Sequence, residues 1–170
     1  MKNESIRLRK LEKKDAIHML EWMHDESVVK YMQANFASKT FEDCEKFIEA
    51  CSSDSESVHL AIVDDNDEYM GTVSLKHINH TVKDCEFAIT IRKCAMGKGY
   101  SKMAMKKIIE LAFNEYGMEK VFWCVSIQNA RAVKFYDKNG YNRVSISELR
   151  EITEYSEKQK QEYIWYLVKK

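Results

Sequence analysis

Gly97 and Gly99, one residue apart, interrupt the stretch IRKCAMGKGYSKMAMKKIIELAF where an apolar segment gives way to a helical pattern. Glycine there permits φ > 0 and removes side chains that would block close approach of another group. A strand, a loop of converging amides and a helix N-terminus bind a diphosphate through backbone N–H groups and the helix dipole. Lys98, Lys102 and Lys106 fall four apart and form a basic stripe running away from the loop. Two other phosphate loops are excluded. A P-loop needs glycine five residues before Gly97, where Arg92 stands, and Ser or Thr after its lysine, where Gly99 stands. A G-x-G-x-x-G fingerprint needs glycine at position 102, where lysine stands. Taken alone, the loop serves equally well as a tight turn beside a solvated helix face.

Other reactive residues offer less. His77 and His80 in HINH have no carboxylate or cysteine at ligand spacing, so they are expected in solvent at a strand end, and no metal is assigned. Cys94 has no histidine placed by sequence to activate it. Cysteines 44, 51, 85, 94 and 124 contain no C-x-x-C pair, which argues against a disulfide framework and fits a reducing cytoplasm. Lysine plus arginine equals aspartate plus glutamate at 27 each, so no global field draws the protein to nucleic acid or an anionic membrane. The opening MKNESIRLRKLEKKD lacks the apolar run of a signal peptide, and no segment is apolar for long enough to cross a bilayer. A single cytoplasmic domain spanning residues 1–170 is therefore expected.

These groups must be positioned by elements legible in the pattern. SIRLRKL alternates like a half-buried strand, and Ala16, Met19, Leu20 and Met23 recur at helical spacing up to about Asp25, with Asp15 as cap. TFEDCEKFIEAC offers a Thr40/Asp43 capping box and an apolar face of Phe41, Cys44, Phe47, Ile48 and Cys51. SVHLAIV and YMGTVSLKHI form a hairpin across the polar DDNDE, and CEFAITI adds a third strand. After the glycines, Met105, Ile108, Ile109, Ala112, Phe113 and Tyr116 mark a helix ending near Gly117. KVFWCVSI is a buried strand, NARAVKFYDKNG a short helix, and YNRVSISEL and EYIWYLVKK two closing strands, with SEKQKQE a solvated loop. The order predicts a mixed α+β fold with helices over a largely antiparallel sheet.

Within that frame MGKGYS resembles the acyl-CoA pyrophosphate loop of the GNAT superfamily of N-acetyltransferases, Q/R-x-x-G-x-G/A. Gly99 matches the central glycine, Met96 stands where Gln or Arg is usual, and Ser101 where Gly or Ala is usual. NARAVKFYDKNGY is similar to the family's N-x-x-A-x-x-x-Y-x-K-x-G-F/Y segment at Asn129, Ala132, Tyr136, Lys138, Gly140 and Tyr141. IRLRKLEKKD, INHTVKDCEFAITI and the closing stretch resemble the RimJ/RimL and spermidine acetyltransferase branch.

The resemblance implies a GNAT-like three-layer fold and direct transfer from acetyl-CoA to a primary amine in a ternary complex. It implies a cofactor site of Met96, Gly97, Lys98, Gly99, Tyr100 and Ser101 on the loop and Asn129 on the later helix. It adds the main chain of Ile89, Thr90 and Ile91, an amide of which would face the thioester oxygen. Family members splay this strand from the next so that pantetheine inserts between them. Glu86 would be the base that removes the ammonium proton, and Tyr136 the acid that protonates the CoA thiolate. YMQANFAS and LREITEYSEKQKQEY would wall the acceptor, with Glu148, Glu151 and Glu154 suited to a cation. Polyamine, amino sugar, aminoglycoside and protein N-terminus stay open as acceptors, as do a homodimer and a non-catalytic acyl-CoA-binding module. From the residues alone, Glu86 reads first as an exposed carboxylate on the polar strand face, and Tyr136 as an aromatic packing its helix.

Overall fold

The computed structural model describes residues 6–170; Ser5 and the residues before it, where the SIRLRKL strand and the opening stretch begin, lie outside the described residues. The chain runs β1 (Arg7–Lys10), α1 (Ala16–Met23), α2 (Glu26–Val29), α3 (Phe41–Cys51), β2 (Val58–Val63), β3 (Tyr69–Asn79) and β4 (Asp84–Ile91). It continues through α4 (Tyr100–Asn114), β5 (Lys120–Ser126), α5 (Ala130–Lys138), β6 (Arg143–Val144), α6 (Glu157–Glu162) and β7 (Tyr163–Lys169). The strands form a seven-stranded sheet ordered β1-β2-β3-β4-β5-β7-β6. Every pairing is antiparallel except that of β4 with β5.

Strand alternation sorts the sheet residues onto two faces. Val73, Leu75, Phe87, Val121 and Trp123 pack under α4 and α5 with Met105, Ile108 and Ala112. Burying each of the Val, Leu, Ile, Met and Phe side chains among them stabilises the fold by about 1.5–3 kcal/mol. The opposite face is covered in two patches. Met19 and Trp22 of α1 and Cys44 and Ile48 of α3 cover Ala61, Val63 and Tyr69, while Ile152 covers Phe122, Trp165 and Leu167. The centre of the sheet lies between those patches, and β4 runs through it.

The expected hairpin, the third strand, α4 and α5 all form. Thr40 and Asp43 make the capping box of α3, with Asp43 N donating to Thr40 Oγ1 at 3.2 Å. Other expectations are corrected. Asp15 makes no side-chain cap; it is buried and its carboxylate accepts from Arg9 at 2.8 and 2.9 Å and from Glu12 N. Asp25 caps α2 instead, accepting from Ser27 N. Phe41 and Phe47 stand exposed, leaving Cys44 and Ile48 as the buried face of α3. YNRVSISEL pairs only through Arg143 and Val144 before a 3-10 turn with its own Ser145/Glu148 capping box. SEKQKQE holds a helical turn, because Ser156 and Gln159 complete a capping box at the start of α6.

Candidate active site

β4 and β5 are in register at Asp84↔Lys120, Cys85↔Val121 and Glu86↔Phe122. Beyond that point residues 87–91 and 123–126 leave the shared ladder, although β4 still pairs with β3 and β5 with β7. A slot therefore opens inside the sheet. Arg92 N donates to Met70 O at 2.9 Å, which fixes the phase of the β3–β4 ladder. By antiparallel alternation the amides of Thr90 and Ala88 face β3, and those of Ile91, Ile89 and Phe87 face the slot. Ile89 and Ile91 thus offer the amides expected of this strand, whereas the N–H of Thr90 is turned away.

The slot ends at the glycine loop. Arg92 anchors it: the nearly buried guanidinium donates to Glu21 at 3.0 and 2.9 Å, Glu68 at 2.7 Å and Tyr69 O at 2.9 Å. The loop then leaves in a fixed direction. Gly97 has φ +76 and Gly99, the N-cap of α4, φ +86, and a Cβ at either would meet nothing within 4 Å. No side chain caps α4, so its first amides keep the donor capacity that a diphosphate uses. Lys98, Lys102 and Lys106 are exposed beside it, and Ser101 and Met96 are half-buried. Arg131 Nη1 lies 2.7 Å from Met96 Sδ, which closes α5 onto the loop. Asn129 caps α5, its side chain accepting from Ala132 N at 3.2 Å.

Two polar constellations flank the slot on opposite faces. On the α5 face Tyr136 is buried, its ring centroid 5.3 Å from Trp123, the first β5 residue past the paired segment, and 5.1 Å from Tyr166. Burial pushes its pKa well up, so it carries its proton throughout the physiological range. Trp123 Nε1 is buried without a hydrogen-bond partner, facing a cage of aromatic rings.

On the other face stands Glu86, only 3 % exposed, which corrects the picture of a carboxylate on a solvated strand face. The Tyr155 hydroxyl donates to Glu86 Oε1 and also contacts the thiol of Cys124, two residues beyond the last paired residue of β5. Lys76 Nζ lies 3.8 Å from Glu86 Oε1 and His77 Nε2 3.5 Å from Oε2. His77 Nδ1 is 3.6 Å from Glu154, so this histidine is not the free strand-end residue expected; His80 is exposed. Arg150 joins Asp84 at 3.0 Å and Glu154 at 3.2 Å. Burial raises the Asp84 pKa against the pull of Arg150. The two expected acceptor walls meet above, where Gln159 Nε2 donates to Gln33 Oε1 at 3.2 Å. Glu148 caps a turn and Glu151 is exposed, leaving Glu154 as the member of that acidic set beside Glu86.

The structure therefore gathers Glu86, Ile89, Ile91 and Tyr136 around the slot and positions 96–101 at its end. Sequence reasoning missed Arg92, His77 and Tyr155. Arg92, a charge closing an apolar strand, carried a signal. Tyr155 lies 69 residues from its partner in a polar stretch and carried none. Among the described residues no cluster of His, Cys, Asp and Glu could hold a metal, and no helix is long and apolar enough to cross a membrane.

Residues 5–142 match the model of the acetyltransferase (GNAT) domain. The chain is 28% identical over 144 residues to a spermidine N(1)-acetyltransferase of Escherichia coli strain K12, covering 81% of this chain and 73% of that protein. It is 22% identical over 139 residues to that of Vibrio cholerae serotype O1, covering 82% and 80%. The crystal structure of spermidine N-acetyltransferase from Vibrio cholerae in complex with CoA and spermine shares the fold, with a TM-score of 0.78 at 19% identity over 96% of this chain and 95% of that one. A splayed sheet ending at a glycine loop, on a chain matched by that domain model, belongs to the GNAT acetyltransferase family, and the protein is an acetyl-CoA-dependent N-acetyltransferase.

Proposed function

We propose that the acceptor is a polyamine and that one active site uses both faces of the slot, in a single-domain protein working in a reducing cytoplasm. The amides of positions 97–101 and the α4 N-terminus hold the diphosphate, and Asn129 and the β4 edge hold the pantetheine arm. The amides of Ile89 and Ile91 lie along the path of the thioester, where a fixed N–H stabilises the developing oxyanion.

An alkyl ammonium has a pKa near 10.4, so about one molecule in 10³ is neutral at pH 7. Glu86 supplies the base that removes the proton. The amine then attacks the thioester carbon, the tetrahedral intermediate expels CoA thiolate, and Tyr136 protonates the sulfur. The observation that carries this reading is the placement of a buried carboxylate and a buried phenol on opposite faces of one slot. The cationic class of acceptor follows from Glu86 and Glu154 together with the aromatic walls Tyr155 and Tyr163, which suit alternating ammonium and methylene groups. The two similar spermidine N(1)-acetyltransferases support the same class.

A thiol-release assay with acetyl-CoA over spermidine, spermine, amino sugars, aminoglycosides and short peptides tests it, alongside calorimetry with acetyl-CoA. Turnover is expected to be fastest with the polyamines. Acetyl-CoA binding without turnover of any amine identifies a non-catalytic module instead.

A further inference from the structure

Glu86 cannot meet an acceptor directly in this conformation. Its side chain is 4% exposed, and the Tyr155 hydroxyl covers Oε1 on the side towards Cys124 and the slot. The other oxygen, Oε2, faces His77.

The position of His77 is a product of backbone irregularity. In the β3–β4 ladder Lys76 is opposite Glu86 but Asn79 is opposite Asp84, so β3 carries one extra residue between them. His77 takes φ +51, a conformation uncommon outside glycine and found mainly in Asn, Asp and His. Strict alternation after Leu75 would send His77 to the α4 face. The bulge instead gives that place to Ile78, which packs with the α4 core, and turns His77 to the carboxylate face. There its two ring nitrogens lie between two carboxylates, Nε2 at 3.5 Å from Glu86 and Nδ1 at 3.6 Å from Glu154.

We propose that Tyr155, Glu86, His77 and Glu154 form a proton wire from the slot to the surface. The proposal rests on the reading of Glu86 as base and assigns the path by which the proton arrives and leaves. The acceptor ammonium gives its proton to the Tyr155 oxygen as Tyr155 passes its own to Glu86 Oε1, so the phenol ends neutral and the amine free. The carboxyl group, protonated on Oε1, then rotates about Cγ–Cδ to bring that proton to His77 Nε2, and its transfer to the lone pair restores the carboxylate. The imidazolium releases the Nδ1 proton to Glu154 or water. The His77 side chain is 38% exposed, so the ring re-equilibrates with solvent before the next turnover. Burial raises the pKa of Tyr155, which keeps it a hydrogen-bond donor at rest. Distances near 3.5 Å suit a resting network, since catalytic hydrogen bonds tighten when charge develops.

Three variants test the wire with spermidine as acceptor, each checked by thermal unfolding and by acetyl-CoA affinity. Tyr155→Phe keeps the ring that packs edge-on to Trp165 and removes the hydroxyl. It is expected to lower kcat by about 10²-fold with acetyl-CoA affinity unchanged. His77→Asn keeps a residue that tolerates the left-handed conformation yet cannot carry a proton. Its kcat is expected to fall about 10-fold or more, and added imidazole to restore it in proportion to concentration, a response that a purely structural role for His77 cannot give. Glu86→Gln separates the two levels of the reading. Full activity in Glu86→Gln removes the base and the wire together. An inactive Glu86→Gln beside wild-type rates in Tyr155→Phe and His77→Asn, or a loss in His77→Asn that imidazole leaves untouched, overturns the wire and leaves Glu86 as base.

Discussion

Gly99→Ala divides the role of the loop from its shape. The native φ is +86, and the new Cβ would meet nothing within 4 Å. The cost to the protein alone is therefore that of a left-handed alanine, about 1–2 kcal/mol, partly offset by about 0.4–1 kcal/mol from a stiffer unfolded chain. A net loss near 1 kcal/mol lowers Tm by about 2–4 °C in a chain of this size. Gly117, just past α4, supplies the control, with φ +68 and equally open space. Gly117→Ala should shift Tm by a similar amount. The two variants part company in ligand binding, because at position 99 the methyl group occupies the approach to amides meant for a diphosphate. Losing one charge-assisted hydrogen bond costs about 1.5–3 kcal/mol, or about 10- to 100-fold in Kd. Calorimetry with acetyl-CoA and differential scanning fluorimetry read both quantities. Equal losses in Tm with wild-type acetyl-CoA affinity in both variants would refute the loop as the diphosphate site.

Tyr136→Phe is expected to lower kcat by about 10²-fold while acetyl-CoA affinity stays within about twofold, as single-turnover kinetics and calorimetry will measure. Asp67 accepts from Lys14 and Arg9, which hold its pKa at about 2 against an ordinary 3.8. Its folded pKa is depressed, so its contribution is complete above 3.8 and vanishes as pH falls towards about 2. The gap in urea midpoint between wild type and Asp67→Asn should be constant near neutrality and close across that window. Gly71→Ala would place a Cβ 2.3 Å from Thr90 O, a backbone atom that cannot step aside, and urea unfolding should show a loss of about 3 kcal/mol or more.

The elements that alternate or repeat over long stretches were legible because one face of each is buried and the other wet. α3 with its capping box, α4 and α5 are of this kind, whereas the β2–β3 hairpin, buried on both faces over much of its length, showed through two apolar runs joined by a polar turn. Shorter pieces followed local chemistry that the wider pattern hid. The Ser156/Gln159 box starts α6 in a stretch so polar that it resembles a loop, and Arg143 and Val144 are all of YNRVSISEL that the edge of the sheet retains. Alternation placed Glu86 on the face opposite Cys85 and Phe87, as the structure does, but could not show that this face is buried. In a strand at the centre of the sheet the polar face is buried too, here beneath Tyr155 and His77. The bulge that turns His77 depends on a one-residue excess between two strands, which has no composition of its own. The glycine loop was legible because its shape lies in the main chain at Gly97 and Gly99, and the partners of Glu86 were not because they come from a bulged stretch of β3 and from the loop before α6.

The slot itself depends on how β4 is held. A strand that leaves its neighbour halfway along forfeits ladder hydrogen bonds and exposes slot-facing amides, a cost that would ordinarily fray it. Here both ends are clasped by arginines. At the start Arg150 binds Asp84, and at the finish Arg92 binds Glu21, Glu68 and the carbonyl of Tyr69. Between the clasps β4 keeps its ladder with β3, interrupted only by the bulge opposite Cys85. The strand can therefore stay straight while its β5 side remains open for a guest that supplies the missing partners. The first clasp has a second effect. Arg150 belongs to the same loop as Glu154 and Tyr155, so the ion pair that fixes the start of β4 also carries the hydroxyl of Tyr155 onto Glu86. One ion pair thus holds β4 in the stretch where it still pairs with β5 and seats the Tyr155 hydroxyl against Glu86, the last paired residue before the slot opens.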